Sequence, residues 1–147
     1  MIYFSAEFVR ELQMLVRSKS ATDLPAEIVK QVPALLEGRI PSEREESRSA
    51  NGSTVHSCFR VGSRKLSRGK KGGFRVHIAR TATGLRFVYV YFKPEKKYLD
   101  QRQQRELEKR LREDAISRMS AEWRTLAEFC EIFGLDLPQG VAAVSLD

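Results

Sequence analysis

Eleven cations and no carboxylate occupy the span from Ser47 to Pro94: Arg48, Arg60, Arg64, Lys65, Arg68, Lys70, Lys71, Arg75, Arg80, Arg86 and Lys93. The whole chain carries +7, so +11 in this span leaves −4 everywhere else. Charge segregated in this way raises the local concentration of a polyanion and gains free energy by releasing its counterions. A guanidinium can contact two phosphate oxygens at once, whereas an ammonium acts as a point charge. Nucleic acid is therefore the first partner to test, with a solubilising lysine-rich hairpin as the plainer alternative.

Other chemistry is sparse. His56 and His77 are the only histidines, and an acid-free span gives them few carboxylates with which to build a metal site. Cys58 and Cys130 lie far apart, without ligand spacing, and read as reduced packed thiols rather than a zinc site. No cofactor or metal is called for. The N-terminus MIYFSAEFVRE does not read as a signal peptide, and the longest apolar run, Leu85 to Phe92, is too short to span a membrane. The expectation is a cytoplasmic protein with no membrane partner.

The elements that must position these residues follow from periodicity. Met1 to Phe4 suits an edge strand, and Ser5 an N-cap for a helix whose apolar positions are Phe8, Leu12, Leu15 and Val16. A second helix is expected from Thr22 or Asp23 to Leu36, kinked or divided at Pro33 and stopped by Gly38. Arg39 to Thr54 is polar and aperiodic, so a mobile loop is predicted. Val55 to Val61 and Phe74 to Arg80 alternate as strands around a basic loop, Arg64 to Gly73. The TATG turn leads into Leu85 to Phe92, apolar on both sides as a covered central strand should be. Asp100 and Gln103 have capping-box spacing for a helix to about Arg118. Met119, Trp123, Leu126, Cys130 and Phe133 form a further helical stripe ended by Gly134 and Pro138; it reads as core, or as a docking surface for a partner.

The order strand, helix, helix, three strands, helix surrounds two segments, GKKGGFRV at Gly69 to Val76 and YFKPEKKYL at Tyr91 to Leu99. Together they resemble the RelE/ParE superfamily of bacterial toxins, closest to its RelE and HigB branch, over about Phe4 to Arg112. The resemblance implies an α+β fold: a small antiparallel-dominated sheet with two N-terminal helices and C-terminal helices packed on it. Residues 1–117 would form the toxin domain and 118–147 a helical extension packed on it. It also implies a ribosome-dependent mRNA endonuclease that cuts in the ribosomal A site and is neutralised by a cognate antitoxin. Its partners would be mRNA and the 70S ribosome with its ribosomal RNA. The implied reaction is attack of a ribose 2′-OH on the adjacent phosphate, giving a 2′,3′-cyclic phosphate and a 5′-OH.

Carried onto this chain, the resemblance makes Arg75 the residue that grips the scissile phosphate, with Lys70, Lys93 and Tyr98 completing the catalytic set. Arg60, Arg64, Lys65, Arg68, Lys71, His77, Lys96 and Lys97 would line the RNA-binding surface. Tyr98 stands where many HigB-like sequences have an acidic residue, and Pro94 where they often have Asn. Tyr98, Tyr91 or His77 could stack a base or relay a proton, and His77 reads equally as a packing residue. Two other functions stay open: a ParE-like gyrase inhibitor and a non-catalytic RNA-binding module on the same scaffold.

Overall fold

Strand β1 (Ile2–Ser5) runs straight into helix α1 (Ala6–Lys19), and the Ser5 hydroxyl accepts the Phe8 amide hydrogen at 3.0 Å. This is the predicted N-cap, satisfying one of the amides that the first turn leaves without a helical partner. The computed structural model describes residues 2–39, 45–51, 54–63, 73–82, 84–92, 99–113 and 123–138, with the backbone alone at 45–49, 51, 112 and 113.

The divided second helix is observed as α2 (Leu24–Val29) and α3 (Val32–Leu36). The break falls before Pro33 rather than at it, which puts Pro33 in the first turn of α3, where its missing N–H costs nothing. Strands β2 (Glu45–Asn51), β3 (Thr54–Val61), β4 (Phe74–Thr81) and β5 (Gly84–Phe92) follow. Then come α4 (Gln101–Glu113), β6 (Trp123–Thr125) and α5 (Leu126–Phe133). The capping box of α4 is reciprocal, with the Gln103 amide donating to Asp100 Oδ1 at 2.8 Å and the Asp100 amide to Gln103 Oε1 at 3.1 Å.

The described strands make one sheet in the order β2-β3-β4-β5-β1-β6, antiparallel throughout except for the parallel pair β1 and β5. The fold is α+β, and β3, β4 and β5 pair in sequence order. Three expectations are corrected. Part of the supposed loop from Arg39 to Thr54 is β2, a polar strand recruited by the open hydrogen-bonding edge of β3 rather than by side-chain pattern. β1 is internal, not an edge, because Trp123 to Thr125 add β6 outside it. Those three residues are strand, so the C-terminal stripe is not one helix. The helix end near Arg118 and the tail beyond Pro138 lie outside the described residues.

The main core fills one face. Phe59 and Val61 of β3, Phe74, Val76 and Ile78 of β4, and Leu85, Phe87, Val90 and Phe92 of β5 turn there, against α1, α2, α3 and α5. Phe4 stacks between Phe87 at 4.5 Å and Phe129 at 4.0 Å, each pair worth about 0.5–1.5 kcal/mol beyond its buried area. Phe87 and Val90 are three apart, which a regular strand would put on opposite faces. A register shift opposite His77 and Ile78 inserts Val88, so Val88 and Tyr89 both turn to the second face and pack with Leu107 of α4. That shift is why β5 is apolar on both sides.

Gly73, just ahead of β4, sits under a close approach: a Cβ there would lie 2.6 Å from the Val61 carbonyl oxygen. The obstacle is backbone on the paired strand, so it cannot swing away. Gly73→Ala is expected to cost about 1–3 kcal/mol, read as a lowered denaturation midpoint. An unchanged midpoint would mean that β3 and β4 separate freely at this end. No helix among the described residues is long and apolar enough to cross a membrane.

Candidate nucleic-acid interface

Val61, Phe74 and Phe92 are successive register partners across β3, β4 and β5. Val61 leads toward the basic segment 64–72, Phe74 receives the chain from it, and Phe92 leads into 93–98. Both segments are thus tethered at one end of the sheet, their anchor points on three adjacent strands spanning about 10 Å. Between them the two segments hold Arg64, Lys65, Arg68, Lys70, Lys71, Lys93, Lys96 and Lys97, with Glu95 as their only acid. These residues and Tyr98 lie outside the described residues. The end of the sheet is itself fastened: the Ser63 hydroxyl donates to Asp23 at 2.5 Å, and Lys19 sits 4.9 Å over the Phe92 ring.

One row inward, Arg60, Arg75 and Tyr91 face each other across the same three strands, and the next row is Cys58, His77 and Tyr89. Alternation puts both rows on the face opposite the main core. Like charges directly opposite are ordinarily unfavourable in a sheet, so the Arg60–Arg75 pairing concentrates positive potential there. Arg60 is half-buried, but Arg75 is only 1% exposed, and its Nη1 donates to the Gly73 carbonyl at 3.4 Å. The sequence suggested an exposed arginine; the structure packs it inside. A phosphate reaches Arg75 only if this face opens.

His77 is buried as well, at 5% exposure. Its Nδ1 lies 2.9 Å from His56 Nε2, and the two rings are 5.1 Å apart and 12° from parallel. Tyr91 stacks on the other side of His77 at 5.6 Å. Burial lowers the pKa of His77 to about 3, helped by the charge of His56, and burial lowers His56 too. The described part of the site therefore holds a neutral imidazole pair beside two arginines. Among the described residues no group of His, Cys, Asp or Glu could hold a metal ion.

Of the basic residues on β3, β4 and β5, Arg60, Arg75 and Arg86 share one face and Arg80 does not. Arg80 falls on the core side and donates to the Leu35 carbonyl at the end of α3, satisfying a helix-terminal acceptor. Arg86, 4% exposed, lies 5.9 Å over the Trp123 ring, and Tyr3 meets the same ring edge-on. Trp123 thus packs on the second face, while Leu126, Phe129 and Cys130 of the same stripe enter the main core.

Two features had weaker signals in the sequence. His56 meets His77 diagonally, a relation that requires the register of β3 on β4. Arg110 of α4 gathers Glu7 and Glu11 of α1, a pairing foreshadowed only by their spacing of four. Compared with protein-family models, curated proteins and solved structures, the chain matches none.

Proposed function

We propose that this protein is the toxin of a toxin–antitoxin pair, a ribosome-dependent endonuclease that cuts mRNA in the ribosomal A site. The observation that carries the reading is the common anchorage of the two lysine- and arginine-rich segments at one sheet end, beside the Arg60–Arg75 row. Cations far apart in sequence are thereby tethered within reach of one strand of RNA. The order of β1, two helical stretches, β3 to β5 and α4 supports the same reading, with β2, β6 and α5 as additions. So does Gly73, whose missing Cβ lets the chain entering β4 at FRV lie against Val61.

In this mechanism Lys70, Lys71 and Lys93 hold the RNA backbone, and Arg75, once its face opens, neutralises the phosphate as charge develops on its oxygens. Purified protein added to a cell-free translation mixture is expected to leave mRNA cut at A-site codons, with 2′,3′-cyclic phosphate and 5′-OH ends. Intact mRNA with folded, inhibitor-free protein overturns the proposal.

Burial of Arg75 and His77 favours a second reading, an RNA-binding module without chemistry. It predicts binding with steep salt dependence and no cutting. Inhibition of gyrase supercoiling would instead point to the ParE-like activity. Under either RNA reading, replacing Lys70 and Lys71 together by alanine should reduce the slope of log K against log salt by about 1.4, two phosphate contacts at about 0.7 each for single strands. An unchanged slope removes these lysines from the RNA contact.

A further inference from the structure

Resting on that nuclease reading, we infer that His77 and His56 form the general-base relay of the cutting step, His77 taking the 2′-OH proton and His56 passing it to solvent. The argument starts from an oddity of burial. Two imidazoles share one hydrogen bond of 2.9 Å on a sheet face, and the remaining ring nitrogen of His77, Nε2, is buried with no hydrogen-bond partner. A buried polar atom left in this state costs stability, and apolar residues would fill the same space without that cost. The groups that face the pair are Cys58 and Arg60 from β3, Arg75 from β4 and Tyr89 and Tyr91 from β5. Arg110 of α4 lies over Tyr89, and the nearby Glu11 is already held by Arg110. Glu11 and Asp100 act on Tyr89 but not on His77, so the pair stays uncharged and keeps a lone pair available at neutral pH.

Position supplies the rest. His77 is two residues from Arg75 on one face of β4, about 7 Å along the strand. That is the separation expected between a group holding a phosphate and a base acting on the neighbouring ribose. In the step, Nε2 of His77 accepts the 2′-O–H proton while its Nδ1–H moves to His56 Nε2, and His56 releases its Nδ1–H to water. The freed 2′ oxygen bonds to phosphorus, the bond from phosphorus to the 5′ oxygen breaks, and that oxygen takes a proton from solvent. His77 is buried with Tyr91 stacked on its ring at 5.6 Å, so RNA reaches Nε2 only when this face opens.

His56→Gln tests this, because glutamine can still hydrogen-bond to His77 Nδ1 but cannot pass a proton through a ring. In the translation assay with the full chain, the variant is expected to lose about 100-fold in kcat, with KM within threefold and the denaturation midpoint near that of the unaltered protein. The acid limb of its pH–rate profile should also shift. His77→Gln should lose at least as much. If the unaltered protein cuts and His56→Gln cuts as fast with the same pH profile, the relay is overturned and the nuclease reading stands. If the unaltered protein cuts nothing, the nuclease reading fails and the relay with it.

Discussion

Replacing Arg110 by alanine is expected to lower the unfolding free energy by about 2–4 kcal/mol, seen as a shift of the denaturation midpoint without a change in slope. The guanidinium forks onto Glu11, donating to Oε1 at 2.8 Å and Oε2 at 3.0 Å, and its Nε faces Glu7 at 2.9 Å and Glu106 at 3.2 Å. It also donates to the Val88 carbonyl at 2.9 Å and lies 4.8 Å over the Tyr89 ring. The carbonyl needs this donor because β1 pairs with β5 only from Leu85 to Phe87, leaving the edge beyond it open. Burial opposes the arginine's charge, but hydrogen bonding and attraction from Glu11, with Glu7 and Glu106, raise its pKa overall.

The figure stays below what a fully buried pair would give, for two reasons. The Glu7 and Glu106 side chains are 40% and 39% exposed, so water screens most of their contribution. Glu11 has a further escape: burial already raises its pKa despite Arg110, so without the arginine it takes up a proton instead of remaining a lone buried charge. Arg110→Lys keeps the charge but loses the fork, the carbonyl bond and the stacking, and should recover less than half of the loss. A midpoint within 0.5 kcal/mol for Arg110→Ala would mean that α4 is held by Leu107 and its apolar neighbours alone.

Arg110 also marks where sequence reasoning stops. Local signals were readable: the Ser5 cap, the Asp100–Gln103 box, the division of the second helix close to Pro33, the stop at Gly134 and the alternation in β3 and β4 all correspond to observed features. What failed was set by strand pairing rather than by local pattern. The β2 residues EESRSAN have no apolar period, and their strand exists because β3 offers them an edge. Trp123 fits a helical stripe with Leu126 and Cys130, yet β1 captures it in an antiparallel pair with Ser5. The site divides in the same way. Alternation separates the two sides of β3 and of β4, but it carries no information about what covers either side. Arg75 therefore read as a phosphate contact although it is 1% exposed, and of the two readings of His77 it is the packing one that its 5% exposure fits.

The burial of His77 has a consequence for stability that any assay must respect. The unfolded chain binds a proton at this residue near pH 6.5, whereas the folded chain resists it down to about 3, because the ring is desolvated and sits against His56. The folded-state pKa is depressed, so the stabilisation is complete above about pH 6.5. It falls as protons bind the unfolded state, and the loss levels off only below about 3. Between pH 7.5 and 4.5 the native state stays unprotonated while the unfolded state titrates through about two units, a loss of about 2–3 kcal/mol at 1.36 kcal/mol per unit. His56, whose pKa burial also lowers, adds to the loss in the same direction. His77→Gln has no such group, and the difference in denaturation midpoint between pH 7.5 and 4.5 should shrink by most of that amount, while carboxylate contributions affect both proteins alike. Equal pH slopes for the two proteins would show that the unaltered imidazole already takes up its proton in the folded state, which would require the His56–His77 contact to open at mildly acidic pH.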